Sequence, residues 1–142
     1  MEIFQAIRKD HEKQRSLMNI LVETSGDVSI RRKYFSALTE QLSQHAVAEE
    51  RYFYMPLMKS DKTIDDSRHG IAEHHEIEEL VEKIEQTDMS SSAWLHHMKA
   101  LQKLVLHHLS EEEKEFFKHA ETVLSCKQKG ELADDYNKEM QQ

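Results

Sequence analysis

With 142 residues, of which 38% are hydrophobic and 32% charged, the chain is long enough for one domain with a buried core. A net charge of −8, with no basic run longer than Arg31-Arg32-Lys33, argues against nucleic acid as a partner, and no apolar stretch is long enough to span a bilayer. Met1-Glu2-Ile3-Phe4 opens nothing like a signal peptide and the single Cys126 excludes an internal disulfide, so a cytoplasmic setting is expected.

Only 3 Gly and 1 Pro favour long helices, and apolar spacing places four of them. The first runs from about Glu2 to Glu23 and stops at Thr24-Ser25-Gly26-Asp27, a turn cluster with a glycine stop. The second runs from Ser29, an expected N-cap, to Met58, and Pro56 should kink or end it because proline lacks an N–H and clashes with the preceding turn. The third spans Ile64 to Gln86. The connection Thr87-Asp88-Met89-Ser90-Ser91-Ser92 offers several caps for a fourth, from Ala93 to Leu124. The tail beyond reads as a short polar fifth helix around Leu132 and Tyr136. No segment alternates as a strand does. Short connections between long helices favour antiparallel neighbours, so the expected fold is all-α: an up-down-up-down four-helix bundle over residues 1–126, with a short C-terminal helix or tail over 127–142.

Each helix carries a core-facing stripe. These are Phe4, Ile7, His11, Gln14, Met18 and Leu21 in the first, and Phe35, Leu38, Leu42, His45, Glu49 and Tyr52 in the second. The third gives Ile71, His74, Ile77, Val81 and Ile84. The fourth gives Trp94, Met98, Leu101, Val105, His108, Glu112 and Phe116. Four histidines and two glutamates therefore share the apolar seams. Their spacing repeats: His45 and Glu49, like His108 and Glu112, are i, i+4 pairs on one helix face, and each pair follows a lone histidine, His11 or His74, by 34 residues. Further matches between the halves, Asp10 with Glu73 and Phe53-Tyr54 with Phe116-Phe117, indicate two helical hairpins about a pseudo-twofold axis. Unpartnered buried carboxylates cost several kcal/mol, so two of them among four imidazoles make sense around cations. The expected metal ligands are His11, His45, Glu49, His74, His108 and Glu112. Doubling suggests two ions, and the mixed nitrogen and oxygen donors favour iron over zinc. Two carboxylates leave diferrous charge in excess, so an oxo or hydroxo bridge can be accommodated.

These residues resemble the hemerythrin-like HHE cation-binding family over about residues 2–124. The resemblance rests on Asp10-His11, His45-Ala-Val-Ala-Glu49-Glu50 with trailing Tyr54-Met55-Pro56, Glu73-His74, and His108-Leu-Ser-Glu-Glu112-Glu113. It implies a four-helix bundle holding a non-haem di-iron centre, with a diatomic ligand, oxygen or nitric oxide, as partner in binding, sensing, iron handling or repair. The chain departs from the oxygen carriers of that family: they have a second histidine four residues after the first in the third helix, where this chain has Glu78. Four histidines with two symmetric glutamates are closer to the di-iron proteins of iron–sulfur cluster repair, which carry an additional cysteine-bearing N-terminal domain. The alternative to oxygen or nitric oxide binding is a redox-active iron enzyme or iron donor, acting in cluster repair or peroxide handling.

Other residues have two readings each. His75 and His107 adjoin the expected ligands but point about 100° away around the helix. His69, His96, His97 and His119 read as surface or bundle-end residues. Glu78 is either a seventh ligand or a solvated partner for a lysine. Gln14 either satisfies its amide within the core or bonds a metal-held water. Tyr52, Phe53, Tyr54, Phe116 and Phe117 read as packing, with Tyr52 the candidate to bond a bridging carboxylate. Cys126 reads as an inert thiol beyond the bundle.

Overall fold

Side-chain caps set most of the helix starts in the computed structural model, which describes residues 1–142. Helix α1 (Ile3–Val22) begins with a capping box between Glu2 and Gln5. Helix α2 (Val28–Glu49) is capped by Asp27, whose carboxylate accepts from the N–H groups of Ser29 and Ile30. Ser29, expected as the cap, thus lies inside the first turn. Gly26 between the two helices has φ 101°, a left-handed conformation that suits glycine.

A π-helical turn, Glu50–Tyr54, carries α2 on into the short α3 (Met55–Leu57). Pro56 sits in α3, directly after the π turn and one residue before the helix ends at Leu57, so the disturbed ladder on its N-terminal side is where a residue without an N–H is tolerated. Helix α4 (Ile64–Glu85) follows, then α5 (Ser92–Glu111), capped by Ser91. A second π-helical turn, Glu112–Phe116, leads into α6 (Phe117–Glu121). Helix α7 (Cys126–Met140) starts at a capping box between Ser125 and Gln128. No strand is present, and the four long helices pack as α1 on α2, α4 on α5, and α1 on α5. The all-α bundle and its short C-terminal helix are therefore as expected from the sequence.

The apolar residues form two clusters. At the loop end, Met18, Leu21, Phe35, Leu38, Ile84, Trp94, Met98 and Leu101 pack together. Arg31 is buried there: its Nε donates to Thr24 Oγ1 at 2.9 Å and its Nη1 to the Met89 carbonyl at 2.6 Å. Its guanidinium also lies 4.7 Å from the Trp94 ring centre, so one cation ties both interhelical loops to the core. At the other end, Ile3, Phe4, Ile7, Phe53, Tyr54, Phe116 and Phe117 join Ala133 and Tyr136 of α7. Helix α7 lies along α1 and α2 and hides Tyr136 almost completely. A polar layer separates these two clusters.

Candidate metal centre

That layer is made of the six residues expected as ligands. His11 comes from α1, His45 and Glu49 from the last turns of α2, His74 from α4, His108 from α5, and Glu112 from the first position of the second π turn. Five are buried, and the side chain of His74 is only 9% exposed. Donor atoms of His11, His45, Glu49 and Glu112 all lie within 4.8 Å of one another, and so do those of Glu49, His74 and His108. Glu49 belongs to both groups. Its Oε1 is 3.5 Å from His45 Nε2 and 3.0 Å from His74 Nε2. Glu112 spans the halves likewise: its Oε1 is 3.1 Å from His11 Nε2, and its Oε2 is 3.6 Å from His108 Nε2.

These inward atoms are close yet unbonded. Nε2 of all four histidines, both oxygens of Glu49 and Oε1 of Glu112 are buried without a hydrogen-bond partner. Buried polar groups are rarely left so, because each unpaired one costs about 1–3 kcal/mol. Seven such atoms converging on one space fit a cation centre and little else. Borderline nitrogen and hard oxygen donors without sulfur suit first-row divalent or trivalent ions.

The outward ring nitrogens are all engaged, and the pattern is twofold. His11 Nδ1 is 2.5 Å from Glu113 Oε2, and its counterpart His74 Nδ1 is 2.9 Å from Glu50 Oε2. His108 Nδ1 is 2.7 Å from Glu73 Oε1, and its counterpart His45 Nδ1 lies 3.4 Å from Asp10 Oδ2. Each acid next to one ligand in sequence thus holds a histidine of the other helix in its hairpin or across the bundle. An Nδ1–H donated to a carboxylate fixes the tautomer and turns the Nε2 lone pair inward, as metal-bound histidines need.

The halves differ in one partner. Tyr136 of α7 inserts between His45 and Asp10: His45 Nδ1 is 2.5 Å from its hydroxyl oxygen, and that hydroxyl donates to Asp10. A second tyrosine enters from within the bundle, where the Tyr54 hydroxyl donates to Glu112. Tyr52, the candidate for such a bond, is half-buried and makes none. The π turn follows Glu49, and its i, i+5 step carries Tyr54 onto the inward face that an unbroken 3-4 spacing would give to Tyr52. Gly70 makes room for this phenol, because a Cβ there would collide with the Tyr54 ring.

Charge in the metal-free layer is shared unequally. Burial opposes ionisation of Glu49, but the charge on His45 and the close approach of the His45 and His74 rings hold its pKa well below the usual carboxylate range. Burial and the adjacent Glu49 charge push Glu112 up. Burial also works against protonated imidazoles, yet the charge of Glu49 and the contact with Asp10 raise His45 to about 10, and the nearby Glu49 carboxylate with the bond to Glu50 raises His74 to about 9. Positive charge is therefore favoured beside these carboxylates, whether carried by imidazolium or by a bound cation that displaces the protons.

The remaining residues sort clearly. His75 and His107 point outward, with side chains 75% and 66% exposed. Glu78 is exposed and outside both donor groups, on the wall of a cavity of about 570 Å³ between α2 and α4. Gln14, His45, His74 and His108 reach the floor of that cavity, and Leu42, Ile71, Ile77 and Val81 line it. The Gln14 amide donates to Gln41 Oε1 at 2.8 Å, so its burial is satisfied within the protein. His96, His119 and Cys126 are exposed and His97 is half-buried, all away from the layer.

A four-helix bundle with a buried histidine and carboxylate layer at its centre is the architecture of a cation-binding protein. Residues 2–120 match the hemerythrin HHE cation binding domain, and the chain belongs to that family. A protein of Nostoc sp. (strain PCC 7120 / SAG 25.82 / UTEX 2576) described as a DNA nickase is 29% identical over 136 residues, which cover 96% of this chain and 38% of that protein. The chain thus spans well under half the length of this relative. No solved structure matches it.

Proposed function

We propose that the layer holds two iron ions and that the protein binds or reacts with oxygen or nitric oxide there. The observation behind this reading is the set of seven unpartnered donor atoms, which divides into two histidine pairs joined by two carboxylates. His11 and His45 would hold one ion and His74 and His108 the other, with Glu49 and Glu112 shared. Bound iron would supply a redox couple and open positions for a diatomic ligand.

The chain's own groups then define access and protons. The cavity between α2 and α4 reaches three of the four histidines, with Leu42, Ile71, Ile77 and Val81 on its walls beside Glu50, Glu78, Glu82 and Glu85, a path open to a small molecule and unfavourable to an anion. Tyr54 keeps a proton on its hydroxyl beside Glu112, because burial and the charges of Glu112 and Glu49 push its pKa well above normal. A phenol held against a shared carboxylate is a group that can give up an electron together with its proton, which favours the second reading, a redox-active iron enzyme or iron donor in repair or peroxide handling. The match to the DNA nickase spans 38% of that protein, and a net charge of −8 on this chain does not favour phosphate binding.

The discriminating experiment is to reduce the iron-loaded protein anaerobically, add oxygen or nitric oxide, and follow the visible spectrum. A stable band that reverses on removing the gas is the expected result for a binder. Rapid irreversible oxidation with iron release would establish the second reading, and no spectral response to either gas would overturn both.

A further inference from the structure

The two hairpins repeat at an interval of 63 residues (74 less 11, 108 less 45), and on their outer faces the repeat breaks. Ala6 and Ala48 in the first half correspond to His69 and Glu111 in the second, and Gln44 corresponds to His107. In the first half α7 covers this face: Ala6, Ala48 and Tyr136 are buried together, and Tyr136 occupies the outer side of Asp10. Nothing covers the matching face of the second half. There His69 Nε2 lies 2.7 Å from Glu111 Oε1 and 3.5 Å from Glu73 Oε1, while His107 Nε2 lies 3.4 Å from Glu111 Oε2.

An ordinary ion pair between a surface histidine and two acids would account for closeness but not for orientation. Glu111 Oε1 is buried and makes no hydrogen bond, although His69 Nε2 is 2.7 Å away. The ring nitrogen and the oxygen sit side by side instead of donor to acceptor, the same arrangement as in the inner layer. The His69 ring stands edge-on to Phe116, centres 6.1 Å apart, which fixes its direction. Donor atoms of His69, Glu73 and Glu111 all fall within 4.8 Å of one another.

We propose that His69, Glu73 and Glu111, with His107 at the rim, form a second and peripheral site for one divalent first-row cation. Three to four nitrogen and oxygen donors are a sufficient set for such an ion, and the half-exposed His69 leaves it reachable from solvent. Glu73 belongs to both sites, since its Oε1 also accepts from His108 Nδ1 at 2.7 Å. The outer ion is therefore one carboxylate and one imidazole away from the inner centre, in the half that lacks the α7 cover.

The test is a calorimetric titration of the iron-loaded protein with Zn²⁺, with iron measured before and after. His69→Ala and Glu111→Gln should each take up one Zn²⁺ fewer per chain than the parent, or bind it at least about tenfold more weakly, with iron content unchanged. His119→Ala, which removes an exposed histidine paired with Asp66, should behave as the parent. Superimposable curves for the parent and His69→Ala, an equal loss in His119→Ala, or a parallel loss of iron in His69→Ala would each overturn the outer site. Because the outer ion is read as a difference between proteins, its failure remains distinct from failure of the inner centre to hold iron.

Discussion

The two hairpins of this bundle supply the same inner groups by different means of support. The α1–α2 half backs His45 with Asp10 and then seals that pair under Tyr136 of α7. The α4–α5 half backs His108 with Glu73 and leaves the outer side of that acid to the solvent-facing His69 and Glu111. Inside, Tyr54 contacts Glu112, while its partner in the repeat, Phe117, has no hydroxyl and packs against Phe4 and Phe53. Duplication thus explains the ligands, and departures from it mark where protons, access and outer contacts become one-sided.

The comparison breaks most sharply at the shared carboxylates. Glu49→Ala should empty the centre on both sides, because this side chain approaches His45 in one half and His74 in the other. His45→Ala should cut metal content to about half or less, and His97→Ala should leave it unchanged. Equal metal content in all three, measured on purified protein, would sink the ligand assignment. Gly70→Ala comes next. A Cβ there meets the Tyr54 ring, so overpacking should destabilise the protein by about 1–3 kcal/mol, with part of the loss recovered when Tyr54→Phe is added. A fully additive double variant would show that the two residues do not compete for space.

Tyr136→Phe should cost about 1–2 kcal/mol, because Asp10 and His45 lose their shared hydroxyl in a buried setting. It should also slow neither folding nor binding in the α4–α5 half, so iron retention should fall on one ion only. Equal loss of both ions would contradict the one-sided role of α7. A change of pH acts on both hairpins at once, since His45 lies in one and His74 in the other. His45 and His74 have folded pKa values, about 10 and about 9, above the unfolded value of about 6.5. Their protonation therefore favours the fold below that unfolded value, and this contribution disappears as pH rises through about 9 to 10. Urea midpoints of metal-free protein should fall over that window, and those of iron-loaded protein should fall less. A rising midpoint for the metal-free form would show the sign to be wrong.

Helical periodicity made most of this legible. Histidines and glutamates lie in register with Leu38, Leu101 and Val105, which points them inward, and the repeated interval sets His11 beside His45 and His74 beside His108 within each hairpin. Five of the six residues are buried and the side chain of His74 is 9% exposed. What periodicity could not convey lies at the π turns, where an i, i+5 step from Glu49 brings Tyr54 inward in place of the i+3 residue Tyr52 and no local composition announces it. Pro56, two residues further on, is the only hint of a disturbed ladder. Tyr136 was visible as an apolar position on a polar helix, but its contact with Asp10 bridges 126 residues and depends on how α7 docks. The outer face escapes the sequence for a related reason: His69 reads as a surface or bundle-end residue, and only the fold sets it beside Glu73 and Glu111.

The central claim is a two-ion centre built from four histidines and two glutamates, and the amount of iron held answers it most directly. Protein reconstituted anaerobically with excess ferrous iron, desalted and assayed for metal and protein, should retain about two irons per chain in the wild type and almost none in Glu49→Ala. Retention of one iron or less by the wild type would contradict the account.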